Sequence, residues 1–230
     1  MSSASVTPDR VSSEALVRLV AGRVLQYPGD RFHEELPRLR AALAGAPAEP
    51  AALLGAFLDR AGSLRPVELC AEYTDTFDTR NRRCLYLTWW IDGDTRRRGL
   101  SLVRLKRIYR DFGLEFTGEE LPDFLPAALE FAALREEPGT VLLQEHRAGL
   151  ELLRLALTEA DSPYAAVLRA VCTTLPGPSP ETRAEAKALA RSGPPQELVG
   201  AGSPLEPFGP GTDRPADLPW PTTAPERQSA

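Results

Sequence analysis

Side chains that commonly ligate metals or carry redox chemistry are scarce in this chain of 230 residues. It contains two histidines, three cysteines and one methionine. His33 and His146 are far apart in the sequence. The cysteines form no Cys-x-x-Cys pair and are Cys70, Cys84 and Cys172. Zinc, iron–sulfur and c-type haem sites need such ligands in clusters, so the sequence argues against these classes of site.

The usual motifs of nucleotide hydrolysis and nucleophilic catalysis are also missing. The chain contains neither Gly-x-x-x-x-Gly-Lys-Ser/Thr nor Gly-x-Ser-x-Gly. Its odd number of scattered cysteines favours a reducing compartment over a disulfide scaffold. The first ten residues lack the apolar region of a secretory signal, and the longest uncharged apolar run, Cys84–Ile91, is too short to span a membrane. We therefore expect a cytoplasmic protein that is neither an enzyme nor embedded in a membrane.

The composition changes sharply near residue 175. Residues 176–230 contain twelve prolines and six glycines, whereas residues 1–175 contain ten prolines and eleven glycines. A segment so poor in apolar residues cannot offset the entropy lost on ordering. We predict a flexible N-terminus over 1–11, an all-helical domain over 12–175 and a largely disordered tail over 176–230, with one short helix near Glu181–Ala190.

Apolar residues recur at helical spacing throughout residues 12–175. The first stripe follows a Ser12–Ser13 capping signal and comprises Leu16, Leu19, Val20, Val24 and Tyr27. Similar stripes occur within 32–43, 53–58, 66–77, 84–91, 102–112, 122–132, 142–157 and 164–175. No stretch shows the run of alternating residues that marks strands. The sequence predicts an all-α fold, a single globular helical bundle of about eight or nine helices.

The middle of the chain is basic, although the whole protein carries a net charge of −5. Ten Lys and Arg side chains and two acidic ones occur between Arg80 and Arg110. With Trp89 and Trp90 as stacking platforms, this stretch would suit a helical nucleic-acid-binding regulator. The acidic whole and the lack of a nucleic-acid-binding module favour a protein that binds no nucleic acid. The basic residues beyond 100 would then form the solvated face of a helix.

Two polar segments carry further predictions. In Gly93-Asp94-Thr95-Arg96-Arg97-Arg98-Gly99, the first glycine permits a positive φ and Asp94 is predicted to cap the next helix. The arginines that follow oppose the helix dipole, which predicts a carboxylate partner from elsewhere in the fold. Glu119, Glu120 and Asp123 place carboxylates at another predicted helix start. Beside an apolar groove, they would suit a basic amphipathic peptide.

Several short segments, taken in order, resemble one known family. They are Glu72-Tyr73-Thr74-Asp75-Thr76-Phe77-Asp78, Arg82-Arg83-Cys84-Leu85-Tyr86-Leu87-Thr88, the turn from Gly93 to Gly99, Tyr109, Gly113, Glu120-Leu121-Pro122-Asp123-Phe124-Leu125-Pro126 and Leu129-Glu130-Phe131. Their order and spacing resemble the nitrate reductase delta subunit, within the redox-enzyme maturation chaperones, most closely over residues 70–135. The sequence departs from the family at two positions, since Asp92 and Phe124 stand where the family often has histidine.

The resemblance implies a system-specific cytoplasmic chaperone with no stably bound cofactor. Such chaperones bind the N-terminal segment of the apo catalytic (alpha) subunit of nitrate reductase. They assist insertion of its molybdenum bis(molybdopterin guanine dinucleotide) and the assembly of the complex before it docks at the membrane. A proofreading chaperone for another molybdoenzyme of the same family is the alternative. We expect a monomer or a weak dimer.

We predict that the client segment binds as a helix in a groove. The predicted client-binding residues are Tyr73, Phe77, Asp78, Trp89, Glu119, Glu120, Asp123 and Phe124. The aromatic members would meet an apolar stripe of the client and the carboxylates would meet its basic residues, so that affinity would fall with added salt. The residues of the family-motif turn are Gly93, Asp94, Arg96, Arg98 and Gly99.

Overall fold

Eleven α-helices and their connections make up the part of the chain that the computed structural model describes, residues 11–79, 83–116 and 120–192. The helices are α1 (Ser13–Val24), α2 (Phe32–Leu43), α3 (Ala48–Ser63), α4 (Pro66–Phe77), α5 (Trp89–Asp92), α6 (Arg96–Asp111), α7 (Leu125–Leu134), α8 (Glu136–Glu145), α9 (Arg147–Glu159), α10 (Tyr164–Thr173) and α11 (Arg183–Ser192). No strand occurs within these ranges, which confirms the predicted all-α fold. None of these helices is both long enough and apolar enough to cross a bilayer.

Some of the predictions concern residues outside the described ranges. Residues 1–10 of the N-terminus, Glu119 of the predicted client-binding set and residues 193–230 of the tail lie outside them. So do Arg80 and Arg82 of the basic stretch. All described residues belong to one compact unit, Met1–Pro195.

The core is built around α1. The helix is capped as predicted, because Ser12 Oγ accepts a 3.1 Å hydrogen bond from the amide of Ala15. α1 packs against α2, α3, α7 and α10, α3 also packs against α10, and α7 against α8. Neighbours on several sides of α1 bury even Arg18, whose guanidinium donates to the carbonyl oxygens of Ala132 and Thr174 at 3.0 and 3.1 Å. These bonds satisfy a charge that would otherwise be costly to bury.

The apolar stripe over 142–157, predicted as one helix, is divided into two. His146 has φ −98° and ψ 7°, so α8 ends before it and α9 begins after it. Burial lowers the pKa of His146, and the neutral ring donates from Nδ1 to the carbonyl oxygen of Leu142, 2.9 Å away. This division and the presence of α11 raise the helix count above the predicted eight or nine.

Most of the predicted helix over 84–91 is not helical. The amide of Leu87 donates to the carbonyl oxygen of Asp123, and the amide of Leu125 donates to that of Leu85, both at 2.8 Å. An isolated antiparallel bridge joins the residues between them. These bonds hold 85–87 alongside 123–125, so only the last residues of the predicted helix form a helical turn, α5. The same pairing explains why α7 begins at Leu125, after the predicted start near residue 122.

The short helix predicted near Glu181–Ala190 is present as α11, and it packs against α9. Its Ala186 is fully buried. Arg147 of α9 is buried and lies 3.6 Å from the fully buried carboxylate of Glu151. Its guanidinium donates to the carbonyl oxygens of Gly177 and Pro178 at 2.7 and 3.1 Å. The helical part of the chain therefore extends beyond residue 175, because charged side chains of α9 hold the connection to α11.

Candidate functional site

An open cavity of about 880 Å³ is lined by residues of α4, α6, α7, the segments that connect them and the connection between α1 and α2. Its wall is unusually aromatic, since it includes four of the five tyrosines and four of the eight phenylalanines of the chain. These residues are Tyr27, Tyr73, Phe77, Tyr86, Tyr109, Phe116, Phe124 and Phe131. Aromatic rings offer large apolar contact areas with little conformational freedom to lose, so such a wall suits binding of apolar side chains.

The floor of the cavity is an aromatic cluster on α4. The rings of Tyr73 and Phe77, one turn apart on the helix, lie 4.9 Å from each other. Tyr164 of α10 packs 4.8 Å from the Phe77 ring. The Tyr73 hydroxyl donates to the carbonyl oxygen of Leu25 at 3.0 Å, and burial raises the pKa of this phenol. The floor is therefore neutral and held from below by the core.

A second wall is formed where the extended segment meets the start of α7. The Tyr86 and Phe124 rings lie 5.6 Å apart, directly above the backbone bridge between these residues. The Tyr86 hydroxyl donates to the carboxylate of Glu120 at 2.8 Å. Partial burial, together with this carboxylate, raises the pKa of Tyr86 to about 12. The hydrogen bond keeps Glu120 at the cavity.

Four carboxylates line the cavity, and all four residues are exposed. They are Asp78, Glu115, Glu120 and Glu130. Within the described part of the chain, the lining contains no Lys or Arg. None of the four carboxylates takes part in a salt bridge with another described residue. The cavity thus combines an apolar interior with a negative field that attracts cations.

Five of the eight predicted client-binding residues line this cavity, namely Tyr73, Phe77, Asp78, Glu120 and Phe124. Trp89 does not line it; its half-buried ring lies near the guanidinium of Arg98, 6.0 Å from its centroid. Asp123 is fully buried and does not line it either. Glu119 lies outside the described residues. The cavity therefore brings together five of the eight predicted residues and, of the other described ones, includes neither Trp89 nor Asp123.

Asp123 holds the family-motif turn in place. Its carboxylate accepts hydrogen bonds from the Thr88 hydroxyl and from the Thr88 amide, the latter at 3.3 Å. It also lies 3.5 Å from the Arg98 guanidinium. The carboxylate partner predicted for the arginines at the start of α6 is therefore Asp123. Arg98, which is partly exposed, also lies over the Tyr86 ring, 5.5 Å from its centroid, so its pair with the buried Asp123 supports the cavity wall.

The turn before α6 differs from the prediction in one respect. Gly93 has φ 60°, as expected for a glycine that ends a helix here. Asp94 does not cap α6, because the helix begins one residue later than expected and Thr95 occupies the capping position. The Thr95 side chain makes no capping hydrogen bond to the helix. Arg96 and Gly99 are exposed on α6.

Several cavity residues were not predicted as client-binding residues. They are Tyr27, Tyr86, Tyr109, Glu115, Phe116, Glu130 and Phe131. Leu85 and Leu87 lie on either side of Tyr86 in the sequence, which is a signal for extended chain. In extended chain, the Tyr86 side chain lies on the face opposite to those of Leu85 and Leu87. Glu130 gives no such signal, because α7 is apolar on nearly all sides and its sequence does not show which side faces the cavity.

Groups that could hold a metal ion or act as a thiol nucleophile are scarce in the described part of the chain. Within these ranges, no group of three or more His, Cys, Asp or Glu side chains could hold a metal ion. Cys84 lines the cavity, but burial raises the pKa of its thiol. A thiol with a raised pKa is a weak nucleophile at neutral pH.

Comparison with known proteins gives consistent results. A family model described as nitrate reductase delta subunit matches residues 40–170. "Nitrate reductase-like protein NarX" of Mycobacterium tuberculosis (strain H37Rv) is 40% identical over 155 residues, or 67% of this chain; the chain spans 23% of NarX, about a quarter of its length. "Probable nitrate reductase molybdenum cofactor assembly chaperone NarJ" of Bacillus subtilis is 33% identical over 155 residues, or 66% of this chain and 84% of NarJ.

A solved structure supports the fold. It is described as a redox enzyme maturation protein from Archaeoglobus fulgidus and superposes with a TM-score of 0.54. The match covers 74% of this chain and 97% of the archaeal chain, at 21% sequence identity. At this identity the similarity shows the shared helical architecture alone.

Proposed function

Because the chain belongs to the nitrate reductase delta subunit family, we propose that it is an assembly chaperone for a nitrate reductase. Its client is the apo form of the catalytic (alpha) subunit. The chaperone assists insertion of the molybdenum bis(molybdopterin guanine dinucleotide) of that subunit, in the cytoplasm and before the complex docks at the membrane. The cofactor is cargo for the client, and the chaperone contributes binding without a catalytic step of its own.

The aromatic cavity with its four carboxylates is the observation that supports this function. A basic amphipathic helix would place its apolar stripe between the Tyr73–Phe77 floor and the Tyr86–Phe124 wall, and its basic residues beside the carboxylates. A volume of about 880 Å³ is within the range of ligand-binding cavities. We propose that the occupant is the N-terminal segment of the alpha subunit.

Two kinds of contact contribute differently to the affinity. Burial of apolar area against the aromatic wall contributes roughly 25 cal/mol per Å² and depends little on salt. The carboxylates are exposed, so each pairing with a client cation contributes only about 0.2–1 kcal/mol and mainly affects association rate and specificity. The proposed contacts therefore include Glu115 and Glu130 and leave out the buried Asp123, whose partners are Thr88 and Arg98.

Isothermal titration with a peptide of the alpha subunit's N-terminal segment tests the cavity. We expect Phe124→Ala to weaken binding by about tenfold, because aromatic anchors dominate such interfaces. We expect Glu130→Lys to weaken it by about fivefold at low salt, with a smaller effect at high salt. Glu137→Lys is the matched control, since Glu137 is exposed on the neighbouring helix α8 and does not line the cavity. Equal effects of the two charge reversals would contradict binding at the acidic cavity.

The chaperone role itself needs a separate experiment on the full-length client. The apo alpha subunit should co-purify with the wild-type chaperone and less with the Phe124→Ala variant. The molybdenum content of the alpha subunit should fall in cells that produce only that variant, and recover with the Glu137→Lys variant. Normal molybdenum loading in the absence of the chaperone would overturn the proposed function, whatever the peptide titration shows.

A further inference from the structure

The outer face of α6 combines exposed aliphatic and basic side chains. Leu100 and Val103 are 74% and 67% exposed, more than any other large hydrophobic residue of the described ranges. Six exposed basic residues surround them on the same helix, namely Arg96, Arg97, Arg104, Lys106, Arg107 and Arg110. At 100° per residue, Leu100 and Val103 lie about 60° apart, and the basic residues flank them on both sides. The inner side of the helix carries the buried Leu105 and Tyr109.

The charge of this face is far from that of the protein as a whole. α6 carries seven basic side chains and one acidic one, whereas the whole chain has a net charge of −5. Arg104 pairs with Glu145 at 3.0 Å and Arg107 lies 3.6 Å from Asp111, but these pairs are largely exposed and therefore weak. Lys106 and Arg110 form no salt bridge with any described residue. Such a separation of charge orients the molecule in the field of an anionic surface.

We propose that the outer face of α6 is a docking surface for a membrane that contains anionic phospholipids. Leu100 and Val103 would enter the boundary between headgroups and acyl chains, and the flanking Arg and Lys side chains would pair with lipid phosphates. Each basic residue near an anionic leaflet adds to the attraction, which decays within a Debye length. The resulting binding is peripheral, reversible and sensitive to salt.

The two central aliphatic residues distinguish a lipid surface from other anionic partners. Nucleic acid would use the basic residues, but a phosphate backbone offers no place for Leu100 and Val103, and stacking with bases uses aromatic rings. A protein partner of ordinary affinity buries about 800 Å² on each side around an apolar centre. Two aliphatic side chains separated by arginines are a small centre for such an interface.

The position of α6 leaves the cavity accessible while the helix is docked. Tyr109 lines the cavity from the inner side of α6, whereas Lys106 and Arg110 project from its exposed side. Docking at a membrane through the outer face would therefore not occupy the aromatic wall. Docking through the α6 face does not depend on the identity of the client.

Co-sedimentation of the full chain with vesicles tests the proposal. We expect binding to vesicles of phosphatidylcholine mixed with phosphatidylglycerol, and none to phosphatidylcholine alone. The double variant Lys106→Glu/Arg110→Glu should lower the binding by at least about tenfold. The double variant Leu100→Ser/Val103→Ser should also lower it, and this loss should persist at high salt, where the charges are screened.

A matched control changes the same net charge elsewhere. Arg38→Glu/Lys187→Glu alters two exposed basic residues on α2 and α11 and should leave vesicle binding nearly unchanged. Equal loss of vesicle binding in Lys106→Glu/Arg110→Glu and in Arg38→Glu/Lys187→Glu would overturn the proposal. Net charge, and not the α6 face, would then determine binding. Failure of the wild type to bind anionic vesicles would also overturn it. The proposal would also be overturned if the protein bound a random DNA duplex at a salt concentration where it does not bind vesicles. The α6 face would then serve nucleic acid.

Discussion

Helices α6 and α7 both line the cavity, yet they relate to the rest of the protein in opposite ways. Seven of the ten residues of α7 are buried, against two of the sixteen residues of α6. α7 packs against α1 and α8, whereas the main helix contact of α6 is with the four-residue α5. One wall of the cavity therefore belongs to the stable core, and the other leaves most of its surface for partners.

The largest expected effect comes from truncating a leucine on each helix. Leu129 of α7 is fully buried, whereas Leu100 of α6 is 74% exposed. Leu129→Ala should lower the free energy of unfolding by about 2–5 kcal/mol, because it leaves a cavity in the core. Leu100→Ala should change it by less than about 0.5 kcal/mol. Urea denaturation followed by circular dichroism measures both, and equal losses would contradict the distinction between the two helices.

Glycine substitutions at equivalent helical positions give a second, smaller contrast. Gly139 and Gly99 are each the fourth residue of their helix, α8 and α6. A Cβ atom on Gly139 would lie 2.1 Å from Cα of Ala132 on α7, whereas one on Gly99 would meet nothing within 4 Å. Gly139→Ala should therefore destabilise the protein by about 1–3 kcal/mol, as overpacking does. Gly99→Ala should stabilise it by about 0.5–1 kcal/mol through helix propensity.

Thermal unfolding of the two glycine variants gives shifts of opposite sign if this contrast is correct. A melting temperature that falls in both variants would mean that α6 is packed more closely than its exposure indicates. A rise in both would mean that α7 and α8 can move apart at little cost.

The smallest expected effect is a pH dependence at His146, which lies at the junction of α8 and α9. Burial lowers its pKa, and Arg104 of α6 also lowers it, while the hydrogen bond to Leu142 and the charges of Glu145 and Asp123 raise it. The unfolded chain, with a histidine pKa of about 6.5, then binds a proton more readily than the folded chain. The stabilisation is complete above that pH and is lost as the pH falls below it towards the lower pKa of the folded chain.

Urea denaturation between about pH 8 and pH 5 checks this behaviour. The wild type should lose more stability over this range than the His146→Gln variant, which cannot take up the proton. Identical slopes for the two proteins would show that His146 titrates alike in the folded and unfolded chains.

Local patterns predicted much of the fold and part of the cavity. The Ser12 cap and the start of α4 at Pro66 follow the sequence signals, because caps depend on neighbours along the chain. Tyr73 and Phe77 were predicted together and are found together, since residues one turn apart share a helix face. Their combination with Phe124 rested on the family resemblance and not on local spacing.

Predictions that depended on which neighbours cover an element were less successful. Leu19 and Tyr27 were expected in the buried stripe of α1 but are exposed, whereas Arg18 is buried. The reason is that α1 contacts helices on several sides, so that its buried surface is wider than one apolar stripe and includes a charge paired with backbone carbonyls. Asp123 was expected at the groove but is buried. The reason is of the same kind, because the segment that contains Thr88 lies against it.

The sequence alone determined the helical class, the capping signals and the spacing of the α4 aromatic residues, since these depend on interactions over a few residues. Its family resemblance also indicated which segments matter. The tertiary structure decided which residues form the cavity, because pairing of 85–87 with 123–125 brings Tyr86 beside Phe124. It also decided which charges remain available: Asp123 is buried beside the partly exposed Arg98, while Glu115 and Glu130 stay exposed at the cavity. Such contacts join residues far apart along the chain, and no local pattern encodes them.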